Sequence, residues 1–140
     1  MLTAESLRLA PASPPAWEGS FPDPFVVRHD GQWVAFGTGF AADGRAIPTL
    51  VSSDGVRWTE GPGAVKPMLG DPATEYWAPE VAHRDGKWFM YYSVGRGDQG
   101  HAMRVAVADR PAGPYVQAPY PVIDPGTCPF AIGAARFLHE

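Results

Sequence analysis

The sequence predicts an all-β protein made of repeated four-stranded sheets, and three observations lead to this prediction. Pro24 returns as Pro79 and Trp33 returns as Trp88, at one constant spacing of 55 residues (79 − 24 = 55; 88 − 33 = 55). The 16 Gly and 16 Pro residues suit short strands joined by tight turns. Signals for helices are nearly absent. A repeat of this length, built from apolar strands and Gly/Asp turns, indicates a modular β protein.

The first unit is predicted to hold four antiparallel strands after an extended, Pro-rich lead-in. Turns are expected at Asp30-Gly31, Asp43-Gly44 and Asp54-Gly55, where Gly tolerates a positive φ angle. The expected strands are Phe25 to Arg28, Gln32 to Thr38, Ile47 to Ser53 and Val56 to Glu60.

The second unit repeats this plan. Its expected strands are Glu80 to His83, Lys87 to Val94, Met103 to Ala108 and Tyr115 to Ala118, with turns at Asp85-Gly86, Arg96 to Gly100 and Arg110 to Pro114. The same spacing applied to Ala78 reaches Gly133 (78 + 55 = 133), so a third unit is expected to begin there. Only Ala134 to Leu138 has mild helical propensity, and five residues are too few to form a stable helix alone.

The architecture predicted from these units is a partial β-propeller, with two four-stranded antiparallel blades plus the start of a third. Each sheet has two apolar faces, and blades stacked around an axis cover both. An ordinary β-sandwich with similar hairpins is the alternative. The expected divisions of this incomplete domain, 1–140, are a lead-in at 1–20, blade 1 at 21–62, blade 2 at 76–120 and a stub of blade 3 at 128–140.

Composition excludes several classes of partner. The net charge is −4, and the 11 Lys and Arg residues are scattered, so the chain lacks the basic patch that nucleic acid requires. No apolar run approaches the roughly 20 residues of a membrane span, so no membrane contact is expected. Met1 to Pro15 does not resemble a signal peptide. A cytoplasmic protein is the default expectation, and secretion stays open if a signal precedes this sequence.

Asp23 is the first candidate for chemistry. It stands where the inner strand of the first unit begins, and the first residues of inner strands crowd around one mouth of a propeller. A carboxylate there, held by the fixed φ of Pro24, faces a polar pocket and can act as a base. The alternative is that Asp23-Pro24 simply initiates a turn.

Trp77 and Glu80 are the second candidates, at the expected strand start of the second unit. An aromatic ring beside a carboxylate suits carbohydrate, because sugars offer apolar faces for stacking and hydroxyls for hydrogen bonds. The alternative is that Trp77 packs between blades and Glu80 bonds to backbone.

No metal site and no cofactor are predicted. His29, His83, His101 and His139 show no close pairing in the sequence and are interpreted as surface loop residues. Cys128 is the one cysteine, has no evident activating partner and is interpreted as an inert packing residue.

Two motifs in order carry a family resemblance. Phe21-Pro22-Asp23-Pro24-Phe25-Val26, followed by Tyr76-Trp77-Ala78-Pro79-Glu80-Val81, resembles glycoside hydrolase family 43. Met90 to Gly95, Arg104 to Ala108 and Gly113 to Tyr115 are similar to the second blade of that family. The resemblance covers about Phe21 to Ile132. It implies a five-bladed β-propeller and inverting cleavage of arabinose- or xylose-containing glycans.

The resemblance also implies roles for the candidate residues. Asp23 would be the general base that activates water, Trp77 would wall the pocket, and Glu80 would support it. A second family carboxylate normally begins the third blade after Phe-x-Ile. Here Phe130-Ala131-Ile132 is followed by Gly133, and the family's general acid, from the fourth blade, has no counterpart.

This departure gives three hypotheses. The first is the N-terminal part of a family 43-like glycosidase, truncated or frameshifted after Ile132 and expected to be inactive alone, because inverting hydrolysis needs two carboxyl groups. The second is a non-catalytic carbohydrate-binding or assembly module. The third is a pseudogene-like product that folds poorly.

Overall fold

In the computed structural model, the described residues are 16–71, 73 and 75–133. They form two four-stranded antiparallel sheets and no helix, which confirms the predicted fold class of a partial β-propeller. The predictions for residues 1–15 of the lead-in, for the helical propensity of Ala134 to Leu138 and for His139 fall outside the described residues. No helix in the described part of the chain could cross a membrane.

The first sheet, called blade 1, has strands in the order β1-β2-β3-β4. Its registers pair Phe25 with Phe36 and Trp33 with Ser52, so consecutive strands are joined as simple hairpins. The strands are shorter than predicted at several ends, and they are β1 (Phe25–His29), β2 (Gln32–Phe36), β3 (Thr49–Ser52) and β4 (Thr59–Gly61).

The second sheet, called blade 2, has the same order, and three of its strands are ten residues long. They are longer than predicted because the β6–β7 turn uses little more than Gly97-Asp98, not Arg96 to Gly100, and because β5 begins at Glu75. Glu80 is therefore in the middle of a strand and not at its start, which corrects the prediction. The strands are β5 (Glu75–Arg84), β6 (Lys87–Arg96), β7 (Gln99–Ala108) and β8 (Val116–Gln117).

The backbone repeats at the spacing that the sequence predicts. Asp23 and Ala78 both have left-handed φ angles, of 50° and 47°, and Gly133 has 68°. The turn residues Asp30 and Asp85 match in the same way, at 48° and 51°. The left-handed region is costly for residues other than Gly, so its recurrence shows that the backbone plan itself is repeated.

The core lies between the two blades, where β1 packs against β5. Val34 and Phe36 point into it from blade 1, and Tyr76, Met90 and Tyr92 from blade 2. All five side chains are fully buried. Burial of an apolar side chain of this size stabilises the fold by about 1.5–3 kcal/mol. This interface fixes the inner strands of the two blades relative to each other.

The segment between the blades is anchored by a buried ion pair. Asp71 accepts hydrogen bonds from both terminal nitrogens of Arg104, from the Ala73 amide at 3.0 Å and from the Tyr76 hydroxyl at 3.3 Å. Burial opposes the charge on Asp71, but the hydrogen bonds from Arg104 and Ala73 and the positive charge of Arg104 outweigh it, so the pKa of Asp71 is lowered. Burial, aided by the negative charge of Asp71, raises the pKa of Tyr76 to about 12.

At the other end of the inner strands, two histidines pack together. The ring of His83 stacks on Trp88 with centroids 4.4 Å apart, and His29 meets His83 edge-on at 5.5 Å. The interpretation of these two histidines as loop residues is wrong, because His29 ends β1 and His83 lies within β5. The two residues come from different blades, and the sequence alone gives no distance between them.

Candidate active site

Asp23 lies just before β1 and is exposed to solvent. Pro24 fixes the chain direction on one side, and the left-handed φ of Asp23 turns the chain on the other. Its Oδ2 atom accepts a hydrogen bond of 2.7 Å from the Thr38 hydroxyl. The carboxylate is thus oriented through one oxygen while the side chain remains accessible to water.

Thr38 connects Asp23 to blade 2. Its hydroxyl oxygen accepts a hydrogen bond of 2.8 Å from the Ala78 amide while the hydroxyl donates to Asp23. Ala78 follows Trp77 directly. The structure therefore brings two of the predicted regions, Asp23 and the Trp77–Ala78 step, to the same end of the inner strands.

A β-bulge sets the directions of Trp77 and Glu80. Trp77 pairs with Ser93 and Glu80 pairs with Tyr91, so three steps along β5 match two steps along β6. Side chains three apart on a regular strand face opposite sides, and the extra residue reverses this. Trp77 and Glu80 consequently face the same side of blade 2.

Trp77 is half-buried, and one side of its ring is covered by aromatic groups. The imidazole of His101 lies 4.2 Å away between centroids at an angle of 33°, and Phe130 approaches edge-on at 6.5 Å. The ring is held firmly, as a stacking surface for a sugar requires, and part of it stays accessible.

His101 is fully buried below Trp77, so the interpretation of this residue as a surface loop histidine is wrong. Its Nε2 atom lies 2.7 Å from the Gly97 carbonyl oxygen, and its Nδ1 atom lies 2.8 Å from the Ser93 hydroxyl. The Ser93 hydroxyl donates its own proton to the Ala131 carbonyl at 2.6 Å. Both ring nitrogens of His101 thus have a hydrogen-bond partner within the fold. Glu75, with Oε2 3.9 Å from Nε2, is the neighbouring carboxylate.

Gly133 takes the backbone position in the third unit that Asp23 takes in the first. Both residues have left-handed φ angles, and both follow the residue spacing of the repeat. Gly has no side chain, so this head of the third unit supplies no carboxylate. The blade 2 equivalent, Ala78, supplies none either.

A cleft of about 540 Å³ opens next to Pro22 and Thr38. Its walls include the rings of Trp17, Phe21 and Phe40 and the carboxyl-bearing residues Asp43 and Glu60. A larger cleft of about 660 Å³ lies between the β1–β2 turn and the loop at Asp109 to Pro114. Neither cleft is lined by Asp23, Trp77 or Glu80, but the smaller one reaches Thr38, the hydrogen-bond partner of Asp23.

The structure shows which predicted residues meet. Asp23 is linked through Thr38 to the Trp77–Ala78 step, and Glu80 shares a face with Trp77. No hydrogen bond or ion pair joins Asp23 to Glu80 among the described residues. No group of three or more His, Cys, Asp or Glu residues in the same part of the chain could hold a metal ion.

Sequence reasoning missed Thr38, Ser93 and the role of His101. Thr38 and Ser93 are separated by the repeat spacing (93 − 38 = 55), and both carry a hydroxyl that bonds to the next unit. The repeat therefore contained the signal for both residues. No local signal marked His101, because its partners come from distant segments.

The fold and this site define a partial β-propeller that presents a carboxylate and an aromatic surface near the heads of its inner strands. The family model described as "Glycosyl hydrolases family 43" matches residues 13–137. The chain belongs to glycosyl hydrolase family 43.

Individual relatives agree with this assignment. The extracellular endo-α-(1→5)-L-arabinanase 1 of Bacillus subtilis (strain 168) is 30% identical over 99 residues, which cover 61% of this chain and 29% of that protein. The extracellular endo-α-(1→5)-L-arabinanase 2 of the same strain is 31% identical over 115 residues, 70% of this chain and 23% of that protein.

A solved structure of native Bacillus subtilis arabinanase Arb43A superposes with a TM-score of 0.60 at 25% identity, covering 76% of this chain and 39% of that chain. The chain thus spans less than two fifths of the length of each of these three relatives.

Proposed function

We propose that this chain carries the base side of a glycosidase site for arabinose- or xylose-containing glycans, with Asp23 as the general base of an inverting hydrolysis. The observation that carries the proposal is the position of Asp23. It is an exposed carboxylate at the head of an inner strand, oriented by Thr38, next to the Trp77–Ala78 step. Family membership and the names of the relatives support the substrate class.

In this proposal, the accessible oxygen of Asp23 removes a proton from a water molecule as that water attacks the sugar. A fixed carboxylate orients the water, and such general base help is worth about 10²–10⁴-fold in rate. Trp77 stacks against an apolar face of the sugar ring. Glu80, on the same side of blade 2, accepts hydrogen bonds from sugar hydroxyls.

The second carboxyl group decides what the chain can do alone. Inversion requires an acid about 6.5–9.5 Å from the base to protonate the leaving oxygen. The resemblance assigns this acid to the fourth blade, whereas the described residues form two blades, and Gly133 separately leaves the third unit without the second carboxylate of the resemblance. We therefore expect the 140-residue chain to bind glycans but to leave ordinary glycosidic bonds uncleaved.

An activated substrate tests the base directly. The leaving group of 2,4-dinitrophenyl α-L-arabinofuranoside needs no protonation, so a site with only a base can still hydrolyse it. We expect slow release of dinitrophenolate by the purified chain, and a loss of about 10²-fold or more in Asp23→Asn. Asp85→Asn is the matched control, because Asp85 is an exposed carboxylate with a similar left-handed φ angle in the β5–β6 turn, away from the site. Equal rates for the chain and Asp23→Asn would contradict the role of Asp23.

A non-catalytic binding module is the second candidate function, and Gly133 is the observation that favours it. Calorimetric titration with arabino- and xylo-oligosaccharides separates the two functions. Binding that is lost in Trp77→Ala, without any Asp23-dependent release of dinitrophenolate, would support the binding module. Absence of both binding and release would contradict both functions.

A further inference from the structure

We propose that Thr38 is a positioning residue that transmits the state of the Asp23 carboxylate to the Trp77–Ala78 wall of blade 2. This inference deepens the proposed function and rests on it for its link to sugar binding. Its structural core, the coupling of Asp23 to Ala78, can be measured without any sugar.

The Thr38 backbone lies between the heads of both inner strands. The Thr38 amide donates to the Pro22 carbonyl at 2.9 Å, and the Gly39 amide donates to the Tyr76 carbonyl at 2.9 Å. Pro22 directly precedes Asp23, and Tyr76 directly precedes Trp77. The end of β2 therefore holds the two candidate regions at a fixed separation.

The two side-chain hydrogen bonds of Thr38 have defined directions. The Ala78 amide can only donate, so the Thr38 oxygen accepts from it at 2.8 Å. The single hydroxyl proton of Thr38 is then directed at Asp23 Oδ2, 2.7 Å away. A hydroxyl that accepts one bond and donates another couples its two partners, because each bond polarises the other.

The backbone is strained at both ends of this chain of hydrogen bonds. Asp23 and Ala78 have φ angles of 50° and 47°, and each precedes a proline. Such conformations persist only where the surrounding structure holds them, and they concentrate at functional sites. Thr38 contacts both strained residues, so it stabilises the geometry of the base and of the pocket wall together.

The consequence for function is specific. Replacement of the Asp23 carboxylate by a neutral group weakens the acceptor of the Thr38 hydroxyl. The hydroxyl then becomes a poorer acceptor for the Ala78 amide. The backbone at Trp77 and Ala78 is consequently held less firmly. The base and the stacking wall thus respond to each other through one oxygen atom.

A double-mutant cycle read by NMR at the Ala78 amide tests this coupling. Asp23→Asn is introduced into the original chain, into Thr38→Ser and into Thr38→Val. We expect Asp23→Asn to shift the Ala78 amide resonance in the first two backgrounds and to leave it unchanged in Thr38→Val. We also expect Thr38→Val to speed hydrogen exchange at Ala78 by about tenfold, the effect of losing one hydrogen bond. The Gly39 amide is the internal control, since its partner is a backbone carbonyl.

Either of two outcomes would overturn the proposal: an equal response of Ala78 to Asp23→Asn in the Thr38→Val background, or no response in any background. Because Thr38→Val could fail to fold, Thr38→Ala and the response of the original chain to Asp23→Asn keep the test decisive. A chain that shows the coupling but does not bind arabino-oligosaccharides would retain the positioning role of Thr38 and contradict the proposed function.

Discussion

Blade 1 and blade 2 share one backbone plan but use the same hydroxyl position for different purposes. In blade 1 the hydroxyl of Thr38 joins an exposed carboxylate, Asp23, to the head of the next unit. In blade 2 the hydroxyl of Ser93 joins a fully buried imidazole, His101, to the head of the third unit. The equivalent hydroxyl group can therefore orient a carboxylate in contact with water in one blade and support a buried imidazole below an aromatic ring in the other.

The largest expected effect concerns the ion pair that anchors blade 2. Asp71→Asn leaves Arg104 buried without its carboxylate, so we expect a loss of about 3 kcal/mol in the free energy of unfolding. Urea unfolding at neutral pH measures this loss. Asp109→Asn is the matched control. Its pKa is also lowered, by Lys87, but Asp109 is exposed, so we expect no measurable change.

The pH dependence of this effect follows from the lowered pKa of Asp71. The carboxylate contributes stability fully above its unfolded pKa of about 4, and this contribution is lost as the pH falls through the lower folded pKa. The stability difference between the original chain and Asp71→Asn should therefore shrink below pH about 4. A difference that grows with acid would contradict this assignment.

The next largest effect on the free energy of unfolding concerns the two equivalent hydroxyl groups, those of Thr38 and Ser93. Ser93→Ala leaves the His101 ring nitrogen and the Ala131 carbonyl without partners in a buried place, and we expect a loss of about 1–3 kcal/mol. Thr38→Val affects groups that water can reach, so we expect a loss of about 1 kcal/mol or less. The same urea unfolding measurement compares them. The structure indicates that the Thr38 hydroxyl is more exposed to water than the Ser93 hydroxyl, and equal losses would contradict this difference.

The smallest effect tests the strained backbone of the repeat. Ala78→Gly relieves a left-handed conformation worth about 1–2 kcal/mol but makes the unfolded chain more flexible, so we expect a gain of about 0.5 kcal/mol. Ala82→Gly, on the same strand at a position with no left-handed φ, should instead lose about 0.5–1 kcal/mol. Thermal unfolding of both variants gives the sign. A loss in both would show that Ala78 is not strained.

The repeat and the order of the strands within each sheet could be predicted from the sequence, because Asp-Gly turns and tryptophans recur in it at one spacing. The sequence did not predict the length of β5, because Ala78-Pro79 indicates a break in a strand. The structure accommodates the proline at a bulge, where the loss of one ladder hydrogen bond is tolerated. Hydrophobic patterning cannot reveal such a device in advance.

The candidate site was only partly predictable for a similar reason. Asp23, Trp77 and Glu80 were predicted because carboxylates and aromatic rings stand out beside the prolines of the repeat, although Glu80 lies in the middle of β5. His101 was misplaced because its burial depends on Trp77 and Phe130, which lie in other segments. Thr38 was overlooked because a threonine near a strand end is ordinary until its two partners are known.

The bulge between Trp77 and Glu80 makes this short stretch intolerant of changes in length. Deletion of one residue there would remove the bulge and with it the left-handed Ala78, whose amide donates to Thr38. Trp77 and Glu80 would stay on one face, but the hydrogen bond between this stretch and blade 1 would be lost, although the overall sheet could still form. Insertions and deletions among natural relatives should therefore avoid this stretch and accumulate in the outer turns, so it is a natural anchor for aligning distant sequences.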